Sequence, residues 1–326
     1  YKTCEFADSY ILECYYDIIK EQPYYVGMET QLVHAETGRL VVSPKWIAKN
    51  PDIDCVGLPP AGIKLWAFQS VMNQALPAFL SQNVTKYDVQ TVNTARKVFG
   101  DIERLKPFLE NAKRIKYAAL VHSLDTKLRT LPYRPREHRQ YFEGFFQALL
   151  STQIPFEVIS ENDILRGGLA NYRTVILPNV RCLSDNVASS IKDYVNSGGG
   201  LVMTYQTSLE DENGNLREDF CLGEVAGLKF VEMRNNQKKY NVGLTNYYRV
   251  AKQHLISKGL SGRTFSFNGN IDYPGVKLLP GTEAIFKLTG YDENLIKSGN
   301  CFISYPTEML CDPILTVKEG KGRVVS

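Results

Sequence analysis

The chain has 326 residues, 44% of them hydrophobic and 22% charged, with a formal net charge of +3. That composition fits a water-soluble globular protein of about two domains at ~100–200 residues each. The charge is too small and too scattered to hold a polyanion, which excludes nucleic acid as a partner. No run approaches the ~18 apolar residues of a membrane span.

Seven cysteines, Cys4, Cys14, Cys55, Cys182, Cys221, Cys301 and Cys311, are odd in number and never form a C-x-x-C pair. This is a poor disulfide framework and a poor zinc site, so free thiols, no metal, no cofactor and a reducing, cytoplasmic setting are expected. The sequence opens on Tyr1-Lys2-Thr3-Cys4, without Met and without a charged-then-apolar leader. A piece of a longer protein is the expectation.

Along the chain, Ala7–Lys20 carries Tyr10, Ile11, Cys14, Tyr15 and Ile18 at helical spacing, and Pro23 ends that pattern. Tyr24–Met28 reads as a short buried strand that delivers Glu29 to its carboxyl end, with a polar turn at Glu36–Arg39. Asp54–Gly57 reads as extended, and Pro59-Pro60 argues against a helix there. A helix is expected over Ile63–Leu80, and a second over Val92–Asn111 that Pro107 interrupts.

From Arg114 the pattern changes to alternating strands and helices. The strands are Ile115–His122, Pro155–Ile159, Thr174–Leu177 and Leu201–Tyr205. The helices are Arg136–Thr152 and one from an Ser184 N-cap to Val195, stopped by Gly198-Gly199-Gly200. Such alternation predicts a parallel sheet covered by helices. After Val231, strands are expected at Thr264–Phe267, Glu283–Leu288, Cys301–Tyr305 and Ile314–Val317.

Ligands of an open parallel sheet bind beyond the carboxyl ends of its strands. Those ends carry His122-Ser123, Pro178-Asn179 and Gln206-Thr207-Ser208. The turn after Tyr205 has no Cys, Ser208 lacks a Gly-x-Ser-x-Gly frame, and Cys182 sits in a loop several residues beyond its strand. His122 and His138 are read as structural. Cys182 as a nucleophile is the weaker alternative to a small buried anchor. Glu29 is the sharper lead, because barrel enzymes place catalytic groups at carboxyl strand ends. Gln31 and His34 are its polar neighbours, and a solvated loop-edge Glu is the competing reading.

The segments Tyr141–Leu150, Ile154–Ile159, Ile176–Asn179, Cys182–Asp185 and Gly198–Ser208 together resemble the β-galactosidase trimerisation domain of glycoside hydrolase family 42. Gly320–Val325 resembles its last strand. Gly27-Met28-Glu29-Thr30 and Ile63–Ser70 resemble the seventh strand and following helix of that family's barrel. The resemblance implies an α/β chain in two parts. Residues 1–112 would be the C-terminal part of a TIM (β/α)8 barrel, and 113–326 a flavodoxin-like, class I glutamine amidotransferase-like domain without its catalytic Cys.

It also implies a carbohydrate substrate, a homotrimer of the full-length parent and Glu29 as nucleophile; Gln31, His34 and Trp66 are the candidate substrate-binding residues. A whole barrel takes ~200–250 residues, so the acid/base carboxylate is expected outside this chain, which alone should not turn over substrate. The alternative is a non-catalytic assembly or carbohydrate-binding module with a degenerate barrel remnant.

Overall fold

The computed structural model describes residues 8–12, 24–46, 48–50, 53–80, 88–110, 112–130, 137–235, 245–268, 272–291 and 306–326. They fall into two compact units, Tyr1–Ile115 with Phe146–Ser160, and Lys116–Phe145 with Glu161–Ser326.

The first unit opens with β1 (Ser9–Ile11), α1 (Tyr25–Thr37) and β2 (Leu40–Trp46). The hairpin strands β3 (Ala48–Asn50) and β4 (Ile53–Gly57) follow, then α2 (Pro60–Met72), β5 (Ala75–Leu80) and α3 (Val89–Leu109). β1, β2 and β5 form a parallel sheet in sequence order, with Tyr10 opposite Val41 and Val42 opposite Leu76. Val41, Ser43 and Lys45 alternate along β2 and are all buried, so one face of this strand is enclosed. Val26, Leu58, Ile63, Trp66, Ala67 and Val98 form the core beside it.

Several expectations for this unit are corrected. Tyr24–Met28 is the start of a 13-residue helix, not a strand. A short apolar run cannot choose between the two by itself. Here the helix continues to Thr37 and stops where Gly38 adopts φ 63° and returns its N–H to His34 O. Ser9–Ile11 is a strand, not part of a helix, because pairing with β2 overrides its local periodicity; the remainder of that expected helix, residues 13–20, lies outside the described residues. The helix expected over Ile63–Leu80 starts at Pro60, which suits a first helical position, and ends at Met72. Gln74 then takes φ 64° and turns the chain into β5. Pro107 sits in the last turn of α3 without breaking it.

The second unit begins with β6 (Ala118–His122), α4 (Leu124–Thr130) and α5 (Glu137–Ser151). Residues of α5 from Phe146 on, with β7 (Phe156–Ser160), count with the first unit. Next come α6 (Glu161–Leu165), β8 (Thr174–Leu177), α7 (Asp185–Asn196), β9 (Gly200–Met203) and α8 (Gly223–Ala226). The remaining strands are β10 (Leu228–Arg234), β11 (Thr245–Val250), β12 (Thr264–Asn268), β13 (Tyr273–Leu278), β14 (Thr282–Tyr291), β15 (Pro306–Glu319) and β16 (Arg323–Val325).

Strands of this unit line up as β12-β11-β14-β15-β16-β9-β8-β6. From β16 to β6 the pairing is parallel; from β12 to β16 it is antiparallel. The unit is therefore mixed α/β with a parallel portion, not a wholly parallel sheet. β6 and β8 are near-continuous apolar runs, as strands enclosed on both faces require. Ser184 caps α7 as expected, its Oγ accepting from Val187 N at 3.4 Å. β10 and β13 pair as a separate antiparallel ribbon. The strand expected at Cys301–Tyr305 lies outside the described residues.

Candidate functional site

In the first unit Glu29 is the fifth residue of α1 and half-buried. The strand end that was to present it is not there. Gln31 Nε2 donates to Asn73 Oδ1 at 2.9 Å, and Gln31 Oε1 accepts from Val158 N at 3.1 Å. Arg114 Nη2 donates to Asn73 O at 3.1 Å. His34 Nε2 faces Gln74 O at 3.3 Å. A carbonyl only accepts, so Nε2 must carry the proton.

Asn73 and Gln74 immediately precede β5, and α1 ends just before β2, so His34 sits at the amino ends of the parallel strands. In β/α architectures chemistry sits at the opposite, carboxyl ends, and this edge serves stability. Gln31 and His34 thus tie α1 to the turn between α2 and β5. Trp66 is 5% exposed in the core, its ring 5.4 Å from that of Phe79, and offers no open face for a sugar. The structure brings Gln31 and His34 to one turn; it does not bring Trp66 to them.

In the second unit, the carboxyl ends of β6, β8 and β9 carry the three groups that the sequence singled out. They form a polar web, within which the buried Asn179 Nδ2 has no hydrogen-bond partner among the described residues. Ser123 Oγ donates to Thr126 Oγ1 at 2.9 Å, and Cys182 N donates to the same Thr126 oxygen at 3.0 Å. Asn179 N donates to Thr204 Oγ1 at 3.0 Å, and Val180 N to Thr207 Oγ1 at 3.1 Å. Ser208 Oγ accepts from Leu222 N at 3.3 Å. His122 is buried, its ring edge-on to Phe142 at 5.5 Å. The His138 side chain lies outside the described residues.

Three residues of this edge, Asn179 (φ 50°), Tyr205 (φ 58°) and Ser208 (φ 69°), adopt the left-handed region without being glycine. β9 stops at Met203, two residues short of the expected end, because Tyr205 turns the chain. Such outliers concentrate where structure is held for a purpose.

Cys182 is fully buried, with its Sγ 3.5 Å from Glu210 Oε2. Arg181 Nε donates to Glu210 Oε1 at 3.1 Å. Burial, then the charge of Glu210, then the hydrogen bond to it push the Cys182 thiol up to about 12. A thiol nucleophile needs the reverse setting, an accessible thiolate beside a cation or a His. Arg181, Glu210 and Thr126 escaped the sequence reading, because they meet Cys182 only through folding. The bridge that pairs Cys182 with Glu210 joins residues far apart in the chain.

Comparison with known proteins places this geometry. Residues 116–257 match the family model described as the β-galactosidase trimerisation domain. β-Galactosidase BgaH of Haloferax lucentense is 23% identical over 122 residues, 36% of this chain and 18% of that protein. β-Galactosidase BglY of Alicyclobacillus acidocaldarius subsp. acidocaldarius is 32% identical over 83 residues, 24% of this chain and 12% of that protein. The matched stretch is therefore less than a fifth of either curated relative. The crystal structure of β-galactosidase from Bacillus circulans sp. alkalophilus matches with a TM-score of 0.75 at 16% identity, over 99% of this chain and 47% of that one. At that identity the likeness establishes the fold, and the chain spans about half of that neighbour.

Proposed function

We propose, from the resemblance of this chain to the glycoside hydrolase family 42 β-galactosidases, that it is the assembly-bearing portion of a longer glycoside hydrolase acting on a carbohydrate. The observation that carries this reading is the match of residues 116–257 to the trimerisation domain. The second unit would associate three copies. It uses no thiol chemistry, because Cys182 is buried against a carboxylate.

The parallel β1-β2-β5 sheet with its intervening helices supports a barrel remnant, residues 1–112, preceding the α/β domain of residues 113–326. Hydrolysis of a glycosidic bond needs two carboxylates ~5–5.5 Å apart for retention. We place the acid/base carboxylate upstream of this chain. Glu29 enters as nucleophile on the motif Gly27-Met28-Glu29-Thr30 alone, since α1 gives it no strand-end frame.

The test is hydrolysis of p-nitrophenyl β-D-galactopyranoside by the full-length gene product and by residues 1–326. The reading predicts turnover by the former only. Turnover by neither, across a panel of aryl glycosides, contradicts the hydrolase assignment. Full activity in Glu29→Gln contradicts Glu29 as nucleophile.

A further inference from the structure

The second unit contains a pocket that none of the relationships above assigns. It has a volume of about 220 Å3 and opens beyond the carboxyl end of β9, between the turn at Tyr205, the β10–β13 ribbon and β15. This is the edge where open α/β sheets take ligands. Tyr141, Tyr205, Phe220, Tyr273 and Ile314 line it. The Tyr141 and Tyr205 rings stack with centroids 5.5 Å apart and planes 13° from parallel. Tyr205 is held at φ 58°, a conformation that costs a non-glycine residue free energy and persists only where the surroundings enforce it.

Three hydroxyl-bearing residues, Thr204, Thr316 and Ser326, are also among those that line the cavity. Thr204 Oγ1 accepts from Asn179 N and keeps its own proton for another acceptor. Thr316 and Ser326 hydroxyls lie 2.6 Å apart and share a hydrogen bond. Tyr273 is fixed by donating its phenol proton to Asp312 Oδ2 at 3.2 Å. Aromatic walls with a few placed polar groups are the construction of a small-molecule site.

We propose that this pocket is a binding subsite for a single pyranose ring of a saccharide. The C–H face of the sugar packs on the tyrosine pair, and its hydroxyl groups exchange hydrogen bonds with Thr204, Thr316 and Ser326. A pyranose presents one apolar face and a polar perimeter, and the pocket offers the matching division. The strained turn at Tyr205 is the device that turns the ring into the cavity. The subsite rests on the glycoside-hydrolase reading for its choice of ligand, but uses none of the catalytic carboxylates. It would hold saccharide near the enzyme, not cleave it.

Saturation-transfer NMR with methyl β-D-galactopyranoside on residues 1–326 tests the subsite, with p-nitrophenol as the aromatic comparator. A ligand of this size in one pocket binds at about millimolar affinity. The expected result is transfer strongest to the ring C–H protons, weakened about tenfold or more in Tyr205→Gly and in Tyr141→Leu. Tyr205→Gly removes the ring and relieves the positive φ, so its fold is retained; circular dichroism checks it, and Tyr141→Leu carries the test should it not fold.

No transfer to the glycoside, equal transfer in wild type and both variants, or Tyr205-dependent binding of p-nitrophenol alone each overturns the proposal. Loss of the subsite in a full-length protein that still hydrolyses galactosides leaves the hydrolase reading standing. Tyr205-dependent sugar binding together with no glycoside hydrolysis by the full-length protein supports the subsite and contradicts that reading.

Discussion

The thiol of Cys182 lies 3.5 Å from Oε2 of Glu210, and this contact decides what the second unit cannot do. Thiol catalysis needs an accessible thiolate; Cys182 is instead a buried thiol facing a carboxylate, which holds its proton on. The prediction is that Cys182 resists iodoacetamide at pH 7 in the native protein and reacts once denatured. Peptide mass mapping reads this; rapid native labelling of Cys182 would restore the amidotransferase-like alternative. The sign of the pH effect follows from the raised thiol. Above about pH 8.5 the unfolded thiol ionises while the native one holds its proton toward about 12, so stability falls across that alkaline window.

Arg181 and Glu210 form the charged part of the same cluster. Glu210 is 9% exposed, so removing its cation strands a buried carboxylate. Arg181→Met should lower unfolding free energy by about 3 kcal/mol. The double variant Arg181→Met/Glu210→Leu should lose less, because neither charge is then left behind. Urea denaturation of these two and of Glu210→Leu closes the cycle, and a double-variant loss equal to the sum of the two single losses would mean that the pair is not coupled.

His34 is held below its ordinary value, chiefly by burial, with the Arg114 guanidinium pushing the same way and the Gln74 carbonyl opposing. A depressed imidazole binds fewer protons in the native state than in the unfolded one. Its contribution is present above pH ~6.5 and is lost as pH falls below that value. The thermal midpoint of the wild type should therefore drop more between pH 7 and pH 5 than that of His34→Gln. Parallel pH profiles would show that the His34–Gln74 contact does not discriminate protonation.

Trp66 behaves as core. Trp66→Ala should cost roughly 3–5 kcal/mol, by the burial and cavity energetics of large aromatic truncations. A variant with unchanged urea midpoint would remove Trp66 from the core role and reopen it as a sugar contact.

The second unit was far more legible in sequence than the first, for a physical reason. Ala118–His122, Thr174–Leu177 and the Ser184-capped helix carry strong local signals: continuous apolar runs bounded by turns, and an N-cap hydroxyl. In the first unit the decisive information is non-local. Ser9–Ile11 becomes a strand through β2, and Tyr24–Met28 becomes helical within a segment whose stop, Gly38, lies far along the chain. Pro77 argues against carrying the helix expected over Ile63–Leu80 through to its end, and the strand β5 occupies that stretch. The carboxyl-edge residues of the second unit were read correctly as one row, but Glu210 and the left-handed turn at Tyr205 have no short motif that announces them.

Light scattering coupled to size exclusion on the full-length protein tests the central claim of an assembly module most directly. The account predicts one species of three times its chain mass; a monodisperse single-chain species at every concentration would contradict it.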